Sequence, residues 1–141
     1  VITSTGAVKA VSKALPELDG KLTGNAIIVP TPNVSLAVMS LTVEKNNLNK
    51  EDVNEFLRKT AFNSKYREIV GFVNSTEIVS SDFYSSPFAS VIDSQATIVS
   101  DNKITLYCWY DNEYGYSVQV VNLVKNIAGI NLIRLPVKVW Y

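Results

Sequence analysis

The sequence contains no histidine and only one cysteine among its 141 residues. The absence of histidine excludes Ser-His-Asp and Cys-His catalysis by this chain alone, because both need an imidazole base. It also excludes zinc sites that contain histidine, and one cysteine cannot build an all-thiolate zinc site. A single cysteine forms no disulfide within the chain, which fits a reducing cytoplasm. We therefore expect a cytoplasmic protein without a metal site.

Unbalanced charge and long apolar runs are also missing. The 13 Lys and Arg residues balance 13 Asp and Glu residues, and no basic patch is apparent, so we expect no nucleic-acid partner. No apolar run reaches the roughly 18 residues of a membrane span, so we expect no membrane association. The sequence opens on Val1 rather than Met and carries no signal-peptide pattern, which indicates a fragment or a processed piece.

An apolar content of 47% argues against disorder, and the length is sufficient for a core. The patterning predicts three helices and at least five strands, in the order α-β-β-α-β-β-β-α. The predicted helices cover about 6–15, 50–62 and 112–128, and the predicted strands cover 21–29, 35–45, 69–72, 77–79, 90–99 and 103–110. Adjacent strands without helical crossovers predict an α+β domain, with a mixed, mostly antiparallel sheet covered by helices on one face.

Three residues are expected to set helix ends. Thr5 and Asn49 stand where a side-chain oxygen can cap the first and second helices. Gly129 follows the last apolar residues of the third helix and is expected at its C-terminal end.

The sequence contains one candidate phosphate-binding site. The six glycines are too scattered for a Gly-rich phosphate loop, so we expect no Rossmann-type dinucleotide-binding unit in this chain. Thr5 and Gly6 stand at a helix start, where free N–H groups and the positive end of the helix favour anions. The same pair can also be nothing more than a helix cap.

The single cysteine of the sequence is interpreted as a structural residue. Cys108 falls on the apolar face of the strand predicted at 103–110, where a buried cysteine behaves as a small hydrophobe. A reactive thiolate needs a helix N-terminus or cationic neighbours. We therefore expect an inert core thiol.

The densest cluster of polar and aromatic residues is 109–117. In one interpretation Asp111 or Asn112 caps the following helix and the aromatic residues belong to the core. In the other, Asn112 hydrogen-bonds a planar amide ligand and Tyr116 packs against its ring.

Five segments, in this order and spacing, resemble the C-terminal part of phosphorylating glyceraldehyde-3-phosphate dehydrogenase: 4–11, 15–24, 29–35, 79–83 and 109–117. The resemblance implies a glycolytic, cytoplasmic homotetramer that oxidises glyceraldehyde 3-phosphate through a cysteine thioester and passes hydride to NAD. Phosphate then releases the acyl group. In that family an N-terminal nucleotide-binding domain holds NAD, and a second domain carries the nucleophilic cysteine and a histidine. This chain has neither the family's Ser-Cys-Thr-Thr-Asn motif nor any histidine.

The resemblance also implies a division of the chain and a set of site residues. Residues 1–111 are then a partial catalytic domain, 112–129 a C-terminal helix that packs on the nucleotide-binding domain, and 130–141 an apolar tail. Thr5 and Gly6 match the family's phosphate-site pair. Asn112 matches the residue that hydrogen-bonds the nicotinamide carboxamide, and Tyr116 the residue beside the nicotinamide ring. No residue of this chain matches a catalytic position.

One departure from the family pattern concerns phosphate. The family places an arginine that binds substrate and phosphate where this sequence has Ile28, which offers no donor. A basic residue elsewhere, such as Lys9, is an alternative partner for the anion. We expect a C-terminal portion that is inactive as an isolated chain. The alternatives are a non-catalytic binding module that keeps the fold and the C-terminal half of a split enzyme.

Overall fold

The structure, a computed structural model, describes residues 1–130. The chain divides into two compact units, the first formed by Val1–Pro32 and the second beginning at Asn33. Apart from Ile130, the predicted tail at 130–141 lies outside the described residues.

The first unit contains a pair of short strands and one α-helix. Strand β1 (Ile2–Ser4) pairs antiparallel with β2 (Asn25–Ile27), and helix α1 (Ala7–Ala14) lies between them in sequence. The predicted strand at 21–29 is therefore too long, and β1 was not predicted. Strands of three residues are too short to show the two-residue period that identifies them in a sequence.

The second unit is built on a five-stranded sheet with β6 beside β7. Its strands are β3 (Ser35–Thr42), β4 (Val70–Val73), β5 (Ser90–Asp93), β6 (Ile98–Ser100) and β7 (Lys103–Tyr110). The order is β3-β7-β5-β4, and β6 pairs with β7 as well. The three pairs that include β7 are antiparallel, and only β4 and β5 run parallel. The predicted α+β class with a mixed, mostly antiparallel sheet is confirmed.

The main core lies between the sheet and helix α2 (Lys50–Asn63). Val53 of this helix packs with buried residues of two strands, Ile92, Ile104, Leu106 and Cys108. A second cluster contains Val34, Phe83 and Val91, and Phe83 stacks on Trp109 with ring centroids 5.3 Å apart. Helix α3 (Tyr114–Ile127) buries only Gly115 among its residues, so α2 supplies the helical side of the core.

The predicted N-cap of α2 and C-terminal end of α3 are confirmed, and the predicted N-cap of α1 is corrected. Asn49 Oδ1 accepts the N–H of Asp52 at 2.7 Å, which confirms the cap of α2. Gly129 adopts a φ of 68° after α3, and the N–H groups of Gly129 and Ile130 bond Asn126 O and Lys125 O. That pair of bonds is a Schellman ending, which glycine favours. Gly6 rather than Thr5 is the N-cap of α1, while Thr5 Oγ1 accepts the N–H of Ala7 at 3.2 Å.

Two strand predictions are wrong. Residues 77–79 form no strand, and a short 3₁₀ helix, Ser80–Phe83, follows them. The predicted strand at 90–99 is split into β5 and β6, because Asp93 accepts the N–H of Ala96 and Ser94 donates to Val73 O. Such side-chain and turn bonds compete with continued strand pairing. The hairpin between β6 and β7 is present as predicted.

Candidate functional site

The start of α3 is organised by the carboxylate of Asp111, which is only 4% exposed. Its Oδ1 accepts the N–H groups of Glu113 and Tyr114 at 2.9 and 2.8 Å. Its Oδ2 accepts the N–H of Ser85 at 2.9 Å and Nδ2 of Asn33 at 3.0 Å. One side chain therefore satisfies free donors of the helix and ties two distant loops to it.

These bonds explain the acidity of the group. Backbone donors at Tyr114 and Glu113, followed by those at Ser85 and Asn33, lower the pKa of Asp111 from 3.8 to about 2. A carboxylate that accepts several hydrogen bonds is stabilised in its charged form. Asp111 is therefore an anion at neutral pH. The N-cap of α3 is Glu113, so the predicted cap at Asp111 or Asn112 is wrong, although Asp111 accepts the N–H groups of Glu113 and Tyr114.

Asn112 lies at the surface beside Ser35. The hydroxyl of Ser35 donates to Asn112 Oδ1 at 2.8 Å. The antiparallel register brings them together, because Ser35 at the start of β3 pairs with Tyr110 at the end of β7. Asn33 and Ser35 thus bond two successive residues, Asp111 and Asn112. We refer to these four residues as the clasp.

The clasp encloses a strained residue. Val34 has a φ of 70°, a left-handed conformation that is an outlier for a β-branched side chain. It is buried, and its N–H donates to Asn33 Oδ1 at 2.7 Å. Ser85, which donates to Asp111 from the other side, also has a positive φ of 58°. Such strain persists only where surrounding contacts over-determine the backbone, and it concentrates at functional sites.

Tyr116 follows in the first turn of α3 and is 71% exposed. The second predicted interpretation requires an exposed amide and an exposed aromatic ring, and both Asn112 and Tyr116 meet that requirement. The first interpretation holds in part. Trp109 stacks on Phe83 in the core, whereas the N-cap of α3 is Glu113 rather than Asp111 or Asn112.

Thr5, Gly6 and Ile28 belong to the first unit. Gly6 is exposed, and a Cβ built on it would meet no atom within 4 Å. Ile28 is 60% exposed, and its N–H donates to Val1 O at 2.8 Å. The first unit therefore presents open backbone at the start of α1, and an exposed apolar side chain at Ile28, the position where the sequence resemblance implies an arginine.

Cys108 is 3% exposed and packs in the main core. Burial raises the pKa of its thiol above the usual 9.0, and the nearby Asp93 carboxylate raises it further. A thiol in such surroundings is a poor nucleophile. The expected inert core thiol agrees with this position.

Two open cavities lie along α3, of about 660 and 380 Å³. Neither is lined by Asn112, Tyr116, Thr5 or Gly6.

Across residues 1–130 no group of three acidic, cysteine or histidine side chains is placed to hold a metal ion. Within the same residues no helix has the length and hydropathy of a membrane-spanning segment.

Comparison with known proteins decides the family. The family model described as glyceraldehyde 3-phosphate dehydrogenase, C-terminal domain, matches residues 1–112. The chain belongs to the glyceraldehyde-3-phosphate dehydrogenase family. The match ends on Asn112, so it contains the whole clasp and both residues of the predicted phosphate pair.

Individual members of the family are similar over most of this chain. A glyceraldehyde-3-phosphate dehydrogenase-like protein of Pseudomonas aeruginosa is 54% identical over 136 residues, 96% of this chain and 29% of that protein. The chloroplastic GAPB of Arabidopsis thaliana is 49% identical over 91% of this chain and 28% of its own length. Glyceraldehyde-3-phosphate dehydrogenase 3 of Saccharomyces cerevisiae is 46% identical over 89% of this chain and 37% of its own length. The chain thus spans about a third of the length of these relatives.

The Pseudomonas match also concerns the C-terminal residues. It leaves 4% of this chain unmatched, which is fewer residues than the segment 131–141 contains. The similarity to this relative therefore continues past Ile130, beyond the part in which the sequence resemblance was identified.

Sequence reasoning missed the clasp residues Asn33 and Ser35 as parts of the site. They were noted only as members of the segment 29–35 that resembles the family. The polar residues around Val34, between a Pro-rich loop and a strand, were the available signal. Their partners lie 78 and 77 residues away, and local patterns do not show such pairing.

Proposed function

We propose that this chain is the C-terminal part of the catalytic domain of an NAD-dependent, phosphorylating glyceraldehyde-3-phosphate dehydrogenase. The observation that carries the proposal is the family match through Asn112. In the complete enzyme the substrates are glyceraldehyde 3-phosphate and phosphate, and the setting is cytoplasmic glycolysis in a homotetramer. Residues 112–129 pack on the enzyme's own nucleotide-binding domain, and residues 1–111 complete the catalytic domain.

Asn112 and Tyr116 serve the nicotinamide end of NAD, which accepts the hydride when it is bound. An asparagine amide can both donate and accept, which suits a carboxamide. An exposed tyrosine ring offers a flat apolar surface to the nicotinamide ring. Both side chains are exposed at the start of α3, which supports their assignment to a ligand.

Thr5 and Gly6 serve phosphate. Thr5 Oγ1 already accepts the N–H of Ala7, so its hydroxyl hydrogen is directed elsewhere and can donate to a phosphate oxygen. The open space around the Gly6 Cα lets an anion approach the backbone closely. The positive end of α1 adds an attractive field for the same anion.

The isolated chain is inactive in this proposal. Its only thiol is buried, the pKa of that thiol is raised, and no histidine is present to act as a base. Acyl transfer needs an accessible thiolate, which must come from another part of the enzyme.

Ile28 favours a second candidate, a non-catalytic binding module that keeps the fold. Its exposed aliphatic side chain cannot form the paired hydrogen bonds that arginine gives to phosphate. A split enzyme completed by a separate N-terminal polypeptide retains the first proposal's chemistry and differs only in how the parts are joined.

Phosphate kinetics of the complete gene product test the assignment of Thr5. The change Thr5→Val removes the hydroxyl and keeps the shape, so the KM for phosphate rises about 10- to 150-fold, as for a lost bond to a charged group. Thr3→Val, on exposed strand β1, is the matched control and leaves that KM unchanged. Equal phosphate KM values for the Thr5→Val and wild-type proteins would remove Thr5 from the site.

A further inference from the structure

The amide of Asn112 has a fixed orientation. Ser35 Oγ donates to Asn112 Oδ1 at 2.8 Å, so the oxygen end of the amide is turned toward β3. The two Nδ2–H donors therefore leave the amide on its other side. We propose that Ser35 is a positioning residue that presents Nδ2 of Asn112 to the ligand. The site then recognises a carbonyl oxygen. This inference rests on the proposed function, which assigns Asn112 to the nicotinamide end of the cofactor.

The sheet fixes the position of the serine. Ser35 pairs with Tyr110 in the antiparallel register of β3 and β7, which continues through to Thr42 and Lys103. A slip of one residue would move Ser35 to the opposite face of the sheet. The donor to Asn112 is therefore placed by eight paired positions rather than by a loop.

The other half of the clasp holds the backbone of Asn112. Asp111 accepts from Asn33 and from the first N–H groups of α3, which fixes the residue directly before Asn112. Val34 lies in its left-handed conformation between Asn33 and Ser35. A β-branched residue keeps such a conformation only under constraint, and the bonds on both sides supply that constraint.

The orientation makes a chemical prediction about the ligand. A carboxamide has a carbonyl oxygen and an amino group, whereas an acetyl group has only the carbonyl oxygen. If Nδ2 of Asn112 donates to the carbonyl oxygen, NAD and its acetylpyridine analogue use the same hydrogen bond. If Oδ1 instead accepts from the carboxamide, only NAD can use it.

The test measures the Kd of NAD and of the acetylpyridine analogue for the complete gene product and four variants. Asn112→Ala weakens both dinucleotides by the same factor, about 2- to 10-fold, which corresponds to one neutral hydrogen bond. Ser35→Ala weakens both in the same range, because the amide is free to turn. Ser35→Thr keeps the hydroxyl and restores wild-type binding. Ser40→Ala, an exposed serine on the same strand, is the matched control and changes neither Kd.

The measurements can contradict the proposed orientation of the Asn112 amide, the positioning role of Ser35 or the proposed function, and each contradiction has its own result. If Asn112→Ala weakens NAD alone, Oδ1 is the ligand contact and the proposed orientation is wrong. If Asn112→Ala weakens both dinucleotides and Ser35→Ala weakens neither, Ser35 does not position the amide. If Asn112→Ala leaves NAD binding unchanged, Asn112 is not a ligand contact and this inference fails. If the complete gene product binds no NAD, the proposed function itself fails.

Discussion

Asn33 and Asp111 are joined by a hydrogen bond of 3.0 Å across 78 residues of sequence. Asn33 precedes β3 and Asp111 follows β7, so the bond closes the end of the longest strand pair in the sheet. Ser35 and Asn112 form the second bond at the same end. These two bonds fix the segment that starts α3 to the end of the β3–β7 strand pair.

Acid should weaken the fold through Asp111. Its pKa in the folded protein, about 2, is below the ordinary 3.8. The charged form is therefore favoured by folding, and this contribution is complete above about pH 4 and lost as the pH falls toward 2. We expect the Tm of the wild-type chain to fall over this window. In Asp111→Asn the fall is smaller, and a wild-type pH profile in this variant would contradict the account.

Glu55 provides the control for that experiment. Hydrogen bonds and charges of Arg58 and then Lys59 lower its pKa to about 2 as well, but this ion pair is exposed. Salt at about 1 M screens exposed pairs strongly and buried hydrogen bonds weakly. In high salt Glu55→Gln should therefore keep the wild-type pH profile, while Asp111→Asn still departs from it.

Gly115 should tolerate no side chain. A Cβ at this position would lie 2.6 Å from Phe88 O, a backbone atom that cannot turn away. We expect Gly115→Ala to lower the free energy of unfolding by about 1–3 kcal/mol, as measured by urea denaturation. Gly6→Ala is the matched control, since its Cβ meets nothing within 4 Å and its effect stays under about 1 kcal/mol. Unchanged stability in Gly115→Ala would show that α3 is not packed against Phe88.

Cys108 should be protected from thiol reagents. Burial and the raised pKa of the thiol leave little accessible thiolate at pH 8. We expect the native chain to react with a disulfide reagent about 100-fold more slowly than the chain unfolded in urea. Equal reaction rates of the native and unfolded chains would show that the Cys108 thiol is exposed and would contradict its assignment as an inert core thiol.

Parts of this structure follow from sequence and others do not. Helix α2 was predicted almost to the residue because its apolar stripe, its cap at Asn49 and its acidic first turn all agree. Strand β7 was predicted because its side chains alternate between the core and the other face. Strand β1 escaped prediction because three residues carry no period.

The contacts of the clasp could not be predicted from local sequence patterns, for a different physical reason. The sequence places polar residues at 33, 35, 111 and 112, but only the register of β3 against β7 decides which of them meet. The left-handed backbone of Val34 is equally hidden, since a valine gives no local reason for a positive φ. Asn112 and Tyr116 are predicted site residues through family resemblance, and on the residues alone that role is one of two interpretations.

The isolated chain should self-associate. Helix α3 exposes a run of apolar side chains, with Leu123, Val124 and Ile127 between 59% and 79% exposed. Apolar patches of this kind are rarely left in contact with water. We expect oligomers of the purified 141-residue chain by light scattering, and fewer of them when Val124 and Ile127 are both changed to Lys. Asn126→Lys adds charge on the same helix without removing an apolar group and is the control. A wild-type monomer at high concentration would contradict this expectation.

The central claim is that this chain completes a dehydrogenase whose nucleophile lies outside it. The most direct measurement follows NADH formation from glyceraldehyde 3-phosphate, NAD and phosphate by the complete gene product and by residues 1–141 alone. We predict phosphate-dependent NADH formation by the complete gene product and none above background by the isolated chain. Turnover by the isolated chain, or its absence from the complete gene product, would contradict the claim.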